Sequence, residues 1–353
     1  MLRKALKAAD LPPEEAARVA STVFTYYRWL GWLENERGIE ARLRRAMELA
    51  ARFAKNPFSL PAGHLRAKAV PQWVWSEVPL NDPWLRTIQR EPKLWLRARP
   101  GQGRALAKSL GDCKRFGEGP LADALQYTGR KDLFLTQEFQ EGAFEVQDIS
   151  SQAVSLICAP SPGETWWDVC AGEGGKTLHL SDLMQNKGLI RATDRAEWRL
   201  NRLKRRAARA RAFNYQASVW DGGPTLPFHG LFDGVLVDAP CSGIGTWQRN
   251  PHARWTTTLE DVRELAAVQG RLLAHVARAV KPGGKLIYAV CTLAASETTA
   301  VADAFESAFP EFKPLPVSNP LIPEAPPSAR IWIWPQHAGG NGMFVAVWRK
   351  EAA

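Results

Sequence analysis

The stretch Asp168-Val169-Cys170-Ala171-Gly172-Glu173-Gly174-Gly175-Lys176-Thr177 follows a short apolar run and precedes a helical pattern. Glycines at such a strand-to-helix turn let a ligand approach the backbone at the N-terminus of a helix. The spacing differs from the Gly-x-x-x-x-Gly-Lys of a phosphate-binding Walker loop. Taken alone, the stretch is equally consistent with a tight turn that only packs the helix against a sheet.

An acidic residue after the next predicted strand strengthens the cofactor interpretation. Asp194 lies about twenty residues beyond the glycines, where a carboxylate can accept hydrogen bonds from both hydroxyls of a ribose. Asp221 follows the third predicted strand and either contacts an adenine amino group or caps a turn. The predicted cofactor-binding residues are Cys170, Ala171, Gly172, Glu173, Gly174, Gly175, Lys176, Asp194, Arg199, Asp221 and Asp238.

Around this stretch, short apolar runs alternate with helical patterns from about residue 145 onward, which predicts a doubly wound α/β fold with a Rossmann-like sheet. The predicted strands are 166–169, 188–193, 213–218, 232–238 and 285–291. Two late segments, 331–334 and 343–348, predict a hairpin joined by Gly339-Gly340-Asn341-Gly342. An otherwise parallel sheet would then carry an antiparallel edge.

The N-terminal region has a helical period, and its boundaries predict three domains. After the start signal Asp10-Leu11-Pro12-Pro13, the apolar residues that recur at helical spacing are Val19, Val23, Tyr26, Tyr27, Leu30 and Leu33. Asn56-Pro57 marks the end of a second helical stretch. The predicted domains are a helical region at 1–65, a small α+β domain at 66–145 and the large sheet at 146–353.

Composition limits the class of protein. A chain of 353 residues that is 45% hydrophobic can bury a full core, and a net charge of +10 favours a polyanionic partner such as nucleic acid, or only a basic surface. The five cysteines form no Cys-x-x-Cys pair and the six histidines show no ligand spacing, so we expect no metal. With no secretory signal and no long apolar run, we expect a cytoplasmic monomer without a membrane partner.

Two cysteines and a carboxylate follow neighbouring predicted strands. Asp238 and Cys241 lie in Asp238-Ala239-Pro240-Cys241-Ser242-Gly243, and Cys291 ends the run 287–290. Ligands of doubly wound sheets bind outside the carboxyl ends of the strands, so these three side chains should converge in one crevice. Either cysteine alone is more often buried and inert. The two thiols together, beside Asp238 and a cofactor loop, favour catalysis.

These strings resemble the RsmB/Sun/Nop family of RNA cytosine-5 methyltransferases over roughly residues 90–350. The matching pieces are 144–152, the Gly-Gly-Lys-Thr loop, Asp194, 238–243, 288–292 with Glu297, and 341–346. The resemblance implies S-adenosyl-L-methionine as cofactor and RNA as substrate, with Cys291 as nucleophile and Cys241 assisting product release. The N-terminal region resembles a short NusB-like domain and the α+β domain an RRM-like RNA-binding subdomain. Ribosomal RNA is therefore the expected substrate, and transfer RNA is left open.

Thiol chemistry suits methylation at this position of cytosine. Carbon 5 is too electron-poor to attack a methyl sulfonium, but addition of a thiolate at carbon 6 makes carbon 5 nucleophilic. Asp238 is predicted to protonate, or to form a hydrogen bond with, the N3 and amino groups of the ring, which lowers the barrier to that addition. A second thiol suits the later loss of the carbon-5 proton and of the nucleophile.

Three positions depart from the family pattern. Glu173 replaces the proline that is usual before Gly-Gly-Lys, which adds negative charge near a cofactor that carries a carboxylate. We therefore expect an altered cofactor affinity. Val290 stands where threonine is common and Asn341 where aspartate is common, and neither change removes a group that the mechanism needs.

Basic residues near the predicted site indicate an RNA surface. Arg249 and Arg254 lie in 247–255, directly after the Asp-Ala-Pro-Cys string, and we predict that they hold phosphates flanking a base drawn into the site. The alternative is a loop with packed tryptophans and surface arginines. The arginine-rich stretch 195–211 is either a solvated helix face or a phosphate-binding one.

Other functions are left open by the sequence. A catalytically silent RNA-binding or ribosome-assembly factor on the same fold would bind RNA without transferring methyl groups. A DNA cytosine-5 methyltransferase would use Cys241, the cysteine of the Pro-Cys pair, as its nucleophile. An amino-group methyltransferase is disfavoured because its site needs no thiol and usually has an aromatic residue after the proline.

Overall fold

The computed structural model describes residues 2–352, without the side chains of Arg3 and Lys7. The described chain forms two compact units. The first, here called the helical unit, runs to Pro92 and also includes Thr246–Leu259. The second, here called the sheet unit, comprises Lys93–Gly245 and the chain from Glu260 onward. Within the described residues, no helix combines the length and the apolar character needed to cross a membrane.

The secondary-structure elements are numbered in chain order. The helices are α1 (Leu2–Ala8), α2 (Pro13–Trp29), α3 (Ile39–Lys55), α4 (Ala62–Lys68), α5 (Val74–Glu77), α6 (Asp82–Thr87), α7 (Gly103–Leu110), α8 (Gln137–Gln140), α9 (Ile149–Cys158), α10 (Gly175–Leu183), α11 (Glu197–Ala210), α12 (Ala253–Thr256), α13 (Leu259–Ala277), α14 (Thr299–Ala308) and α15 (Pro335–Ala338). The strands are β1 (Leu94–Ala98), β2 (Cys113–Arg115), β3 (Ala124–Tyr127), β4 (Phe144–Val146), β5 (Thr165–Asp168), β6 (Leu189–Asp194), β7 (Tyr215–Val219), β8 (Phe232–Asp238), β9 (Val280–Val290), β10 (Phe312–Pro314), β11 (Arg330–Ile333) and β12 (Met343–Lys350).

Two helix ends in the helical unit lie at the signals predicted from the sequence. Helix α2 starts at Pro13, a position where the missing backbone N–H costs no hydrogen bond. Helix α3 ends at Lys55, and the side chain of Asn56 then accepts a hydrogen bond of 2.9 Å from the backbone N–H of Phe58. The sequence signals at Pro12-Pro13 and Asn56-Pro57 therefore locate these two ends correctly.

The helical unit continues past the boundary predicted at residue 66. Leu65, Val74 and Trp84, on α4, α5 and α6, are fully buried. Residues 66–92 therefore add apolar side chains to this unit and do not start a new one. The segment 246–259, which the sequence places in the large-sheet domain, also belongs to the helical unit.

A small antiparallel sheet in the order β2-β3-β1-β4 opens the sheet unit. Trp95 on β1 is buried in the same hydrophobic cluster as Ile149 on α9. Arg97 on β1 and Arg99, which follows the strand, form ion pairs with Asp182 on α10. The small sheet thus shares a core with the large sheet and lies in one compact unit with it, whereas the sequence predicted separate domains.

The large sheet has the order β10-β12-β9-β8-β5-β6-β7, with β11 paired to β12. Strands β5 to β9 pair in parallel, and β12 is antiparallel to β9. This arrangement confirms the predicted doubly wound α/β fold with an antiparallel edge. From β5 the chain adds β6 and β7 on one side and then β8 and β9 on the other side. A crevice therefore opens between the carboxyl ends of β5 and β8, which is the usual ligand site of such sheets.

The predicted late hairpin is present, but its connection differs from the prediction. Ile333 on β11 pairs with Met343 on β12, and the intervening chain contains α15. The glycine-rich stretch from Gly339 is therefore only the last part of the connection. Sequence analysis missed β10, a three-residue strand that pairs with residues 348–350 of β12 on the same edge as β11.

Candidate active site

The glycine loop between β5 and α10 has the open backbone that a ligand site requires. Gly172 and Gly174 adopt φ values of +56° and +85°, a region that side chains with a Cβ rarely adopt. A Cβ on Gly174 would lie 2.6 Å from the Leu203 Cγ. Two of the loop glycines are therefore needed for the backbone path and for close packing against α11.

A cleft of about 510 Å³ lies beside this loop at the carboxyl ends of β5, β6 and β8. Its predicted lining residues are Cys170, Ala171, Gly172, Glu173, Asp194, Arg199, Asp221, Asp238 and Cys241. The lining residues that sequence analysis missed are Val169, Arg195, Trp220, Gly222, Ala239, Pro240, Val268 and Leu272. Gly174, Gly175 and Lys176 form the start of α10 behind the loop. Nine of the predicted residues thus converge on one cavity.

Asp194 holds the glycine loop as well as lining the cleft. Its carboxylate accepts hydrogen bonds from the backbone N–H of Gly172 at 3.0 Å and of Ala196 at 2.8 Å. Arg199 lies 3.7 Å from the same carboxylate, which is 5% exposed. These contacts fix the position and orientation of the group that we expect to face a ribose.

Asp221 caps a turn, which is one of the two roles that the sequence left as alternatives, and its contact with an adenine amino group stays a prediction. Its Oδ1 accepts a hydrogen bond of 2.8 Å from the backbone N–H of Gly223, which is a turn cap, and the residue also lines the cleft. The preceding Trp220 is 7% exposed, and its indole N–H donates to the Thr225 carbonyl at 2.9 Å. Trp220 gives the cleft an apolar wall that no sequence signal indicated.

The extra charge of Glu173 is paired inside this protein. Arg202 on α11 lies 2.5 Å from the Glu173 carboxylate, and Arg206 donates a hydrogen bond of 2.9 Å to the Glu173 carbonyl. Both partners of the ion pair are about half exposed, so the pair is screened by solvent. The pairing lowers the repulsion that Glu173 would exert on a second carboxylate in the cleft.

The two predicted catalytic cysteines meet at the carboxyl ends of β8 and β9. The Sγ atoms of Cys241 and Cys291 are 3.2 Å apart. The hydrogen bond from the Cys241 thiol lowers the pKa of Cys291, and the charge of Lys176 acts in the same direction against burial and Asp238. The same hydrogen bond, together with burial, raises the pKa of Cys241. Cys291 is therefore the more readily ionised thiol of the pair.

Lys176 and Asp238 form a partly buried ion pair next to the cysteines. The Lys176 Nζ donates a hydrogen bond of 2.6 Å to Asp238 Oδ2. Burial alone would lower the pKa of Lys176, but the attraction of Asp238 outweighs it and the pKa is raised. The lysine is thus held in its charged form, and its partner carboxylate lies on the cleft wall.

A buried polar network holds both chain neighbours of Cys241. The carboxylate of Glu297, which is fully buried, accepts hydrogen bonds from the Ser242 backbone N–H at 2.8 Å and from the Ser242 hydroxyl. The side-chain amide of Gln269 donates to Glu297 at 3.0 Å and to the Pro240 carbonyl at 2.9 Å. The Tyr288 hydroxyl lies 2.8 Å from the Gln269 side-chain oxygen. This network, here called the loop clamp, fixes residues 240 and 242 and so the Cys241 sulfur between them.

Sequence analysis included Glu297 and Tyr288 only as part of the family resemblance and missed Gln269. A glutamine within the apolar face of α13, beside the buried Leu272 and Leu273, was the available signal. Buried polar side chains are almost always hydrogen-bonded, so such a glutamine indicates a partner. The sequence did not show which element supplies that partner.

We expect Glu297→Gln to lower the rate of the methyl transfer that the family resemblance implies by about 10- to 100-fold, because a neutral amide cannot accept from both Ser242 groups and Gln269 and the loop shifts. Steady-state kinetics at saturating RNA and cofactor measure this effect. Glu324→Gln, which changes an exposed glutamate, is the control. A variant with normal kcat and a normal rate of Cys241 alkylation would show that the loop clamp does not position the thiol.

The prediction that Arg254 holds an RNA phosphate is wrong. Arg254 has no exposed surface, and its guanidinium donates to the backbone carbonyls of Arg28 at 3.3 Å, Ala69 at 3.0 Å and Ile88 at 2.8 Å. Burial lowers its pKa to about 9. Arg254 ties the segment 246–259 to the helices of its unit. Arg249 is exposed in the same segment, and its phosphate contact stays a prediction.

We expect Arg254→Ala to lower the free energy of unfolding of the helical unit by about 3 kcal/mol, because three buried carbonyls lose their donor. Thermal and urea unfolding followed by circular dichroism measure this loss. Arg44→Ala, which changes an exposed arginine of α3, should change stability by less than about 0.5 kcal/mol. Equal stability of the two variants would contradict the structural role of Arg254.

Within residues 2–352, no group of three or more histidine, cysteine, aspartate or glutamate side chains is arranged to hold a metal ion. The polar groups that meet at the carboxyl ends of β8 and β9 are a carboxylate, an ammonium and two thiols. Such a set can activate a thiolate and bind a polar ring.

Comparisons with known proteins found matches over much of the chain. A family model described as 16S rRNA methyltransferase RsmB/F matches residues 155–349. A probable ribosomal RNA small subunit methyltransferase B of Synechocystis sp. is 37% identical over 219 residues, which are 60% of this chain and 49% of that protein. The chain therefore spans about half the length of this relative.

Two solved structures share the fold. The crystal structure of PH0851 superposes with a TM-score of 0.81 at 24% identity and covers 99% of this chain and 93% of its own. A methyltransferase homolog protein from Pyrococcus horikoshii has a TM-score of 0.62 at 27% identity, with coverage of 76% and 90%. In both comparisons the superposed part of this chain extends well beyond the segments that contain the glycine loop and the cysteine pair.

Proposed function

Because this chain belongs to the RsmB/F family of 16S rRNA methyltransferases, we propose that it methylates carbon 5 of cytosine in ribosomal RNA. The methyl donor is S-adenosyl-L-methionine, and the route is a covalent adduct between Cys291 and carbon 6 of the base. The observation that carries the proposal is the Cys241–Cys291 pair, 3.2 Å apart, beside the Lys176–Asp238 ion pair at the cleft.

The residues of the cleft fit this cofactor. Gly172 and Gly174 leave the loop backbone open, and the anchored carboxylate of Asp194 suits the hydroxyls of a ribose. The guanidinium of Arg199 suits a carboxylate, and Trp220 suits an adenine ring. When bound, S-adenosyl-L-methionine supplies an electrophilic methyl group on its sulfonium sulfur.

Cys291 acts as the nucleophile. Its thiolate is favoured by the hydrogen bond from Cys241 and by the charge of Lys176. The sulfur adds to carbon 6 of the base, which forms a carbon–sulfur bond and moves the electron pair of the ring double bond to carbon 5. Carbon 5 could then use this electron pair to bond the electrophilic methyl carbon that the bound cofactor would supply, and the methyl–sulfur bond would break with its electrons left on sulfur.

Asp238 selects cytosine. The Asp238 carboxylate accepts a hydrogen bond from the Lys176 ammonium, and carboxylate oxygens have room to accept a further one. Cytosine presents an amino donor at its position 4, whereas uracil presents an oxygen acceptor there. We therefore propose that Asp238 accepts a hydrogen bond from the cytosine amino group. The sequence left two roles for Asp238, protonation of the ring and hydrogen bonding to it, and this proposal keeps the hydrogen bond.

Cys241 acts in the release of the product. Before the addition, the Cys291 thiolate accepts a hydrogen bond from the Cys241 thiol. Once the Cys291 sulfur is bonded to carbon 6 it carries no charge, so this hydrogen bond weakens. The Cys241 thiol then gives up its proton to solvent more readily. The Cys241 thiolate then takes the proton from carbon 5. The electrons of that C–H bond re-form the ring double bond, and the Cys291 thiolate leaves.

Release of tritium from carbon 5 tests the proposal directly, because methylation replaces that hydrogen. The purified protein is incubated with S-adenosyl-L-methionine and a 16S ribosomal RNA transcript labelled with tritium at carbon 5 of cytosine. We expect cofactor-dependent tritium in water, equal to the methyl groups incorporated, and none from a transcript labelled at carbon 5 of uracil.

The alternatives give different results in the same assay. A protein that binds RNA but releases no tritium from ribosomal RNA, small ribosomal subunits or transfer RNA would be the catalytically silent factor. Release from transfer RNA alone would keep the chemistry and change the substrate. Release from DNA alone would exclude RNA as the substrate.

A further inference from the structure

An aromatic side chain on α11 lies on the surface of the sheet unit. Trp198 is 54% exposed, whereas Leu200, Leu203 and Ala207 of the same helix are buried. Trp198 therefore lies outside the hydrophobic face of α11. A single exposed apolar residue is common and needs no explanation by itself. The residues around Trp198 therefore determine whether this ring can bind a ligand.

Two arginines flank the indole ring. The guanidinium carbons of Arg199 and Arg202 lie 5.3 Å and 5.1 Å from the centroid of the Trp198 ring. Each arginine also reaches an acidic residue of the cleft: Arg199 lies 3.7 Å from Asp194, and Arg202 lies 2.5 Å from Glu173. The tryptophan is thus linked through both arginines to the rim of the cofactor cleft.

The exposed face of α11 and its ends are basic. Arg206 and Arg209 turn inward and form ion pairs with the buried Glu145. The exposed basic residues are Arg195, Arg199, Arg202, Lys204, Arg205 and Arg211. Trp198, Arg202 and Arg205 follow one face of the helix at spacings of four and three residues. This face, here called the Trp198 face, joins one flat aromatic ring to a row of positive charge.

We infer that the Trp198 face binds a single-stranded segment of the RNA substrate, with an unpaired base stacked on Trp198 and phosphates on Arg202 and Arg205. Aromatic rings that stack bases, set among cations that follow the backbone, are the combination by which proteins hold single strands. A protein partner would require a larger apolar patch than one ring among cations. The inference rests on the proposed function only for the identity of the ligand as RNA.

The first test compares two exposed tryptophans that both lie near an arginine. Trp75, in the helical unit, is 44% exposed and has the Arg66 guanidinium 5.7 Å from its ring, so Trp75→Ala is the matched control. Binding of a fluorescein-labelled, mixed-sequence single-stranded RNA is measured by anisotropy. We expect Trp198→Ala to raise the Kd about 5- to 100-fold, the range for loss of one base–aromatic stack. Trp198→Tyr should keep most of the affinity, and Trp75→Ala should match the wild type.

The second test separates stacking from charge. Arg205→Gln should reduce the slope of log Kd against log salt by about 0.7, as expected for one phosphate contact to a single strand, whereas Trp198→Ala should leave the slope unchanged. A ribose-phosphate strand without bases should bind the wild type and Trp198→Ala equally.

Several results would overturn the inference. They are an unchanged Kd for Trp198→Ala, an equal loss for Trp75→Ala, or a loss that persists with the base-free strand. Weaker cofactor binding by calorimetry with normal RNA affinity would assign Trp198 to the cofactor cleft instead. If the wild type binds no RNA and transfers no methyl group, the proposed function fails as well, and this result is distinct from the others.

Discussion

Replacing Cys291 with alanine is expected to reduce methyl transfer to RNA by at least about 10³-fold, equivalent to about 4 kcal/mol of activation free energy. Without the thiolate, carbon 5 of cytosine has no route to become nucleophilic, because the addition at carbon 6 cannot occur. Cys241 cannot replace Cys291 as the nucleophile, because the pKa of the Cys241 thiol is raised and it holds its proton more tightly than an ordinary thiol. Tritium release from carbon 5 measures the loss.

The matched control is Cys113→Ala, which removes a partly exposed thiol from β2 of the small sheet. It should retain wild-type activity. Cofactor binding by calorimetry should be unchanged in Cys291→Ala, since Cys291 does not line the cleft. A Cys291→Ala protein that still methylates within tenfold of the wild type would exclude Cys291 as the nucleophile.

The second large effect concerns Cys241. Cys241→Ala is expected to stall after methyl transfer and to accumulate a covalent protein–RNA adduct, because no thiol is available to take the carbon-5 proton. The adduct should appear as a slowly migrating band on a denaturing gel and should persist after heating. It should be absent from the Cys241→Ala, Cys291→Ala double variant, which lacks the nucleophile.

The same variant predicts a shift with pH. The hydrogen bond from Cys241 lowers the pKa of Cys291, so its loss should raise that pKa. Fewer Cys291 side chains are then ionised at a given pH, and the rate of adduct formation should rise at higher pH than in the wild type. The opposite result would be an adduct in Cys291→Ala and no activity in Cys241→Ala. It would identify Cys241 as the nucleophile and favour the chemistry of DNA cytosine-5 methyltransferases.

Most of the cleft could be predicted because its residues lie at the ends of strands. Asp194, Asp238 and Cys241 each follow a short apolar run, and parallel strands place their carboxyl ends at one edge of the sheet. The glycine loop could be recognised because its φ values are accessible mainly to glycine. These signals are local, so a single sequence contains them.

Other residues could not be located in this way. Trp220 and Leu272 line the cleft from elements whose apolar pattern is typical of an ordinary core. Arg254 looked like a surface arginine, because nothing in its own segment shows that carbonyls 185 and 226 residues away surround it. The loop clamp likewise joins Pro240 and Ser242 to Gln269 and Glu297, which lie on other elements.

The sequence by itself determined the doubly wound sheet, the glycine loop and the set of strand-end residues that carry the proposed chemistry, since hydrophobic period and backbone conformation depend on near neighbours. The tertiary structure alone decided that the two thiols meet close to Lys176, whether each arginine faces solvent or buried carbonyls, and where the two units divide. Those properties depend on burial and on distances of about 3 Å between residues far apart in the chain, which no local pattern specifies.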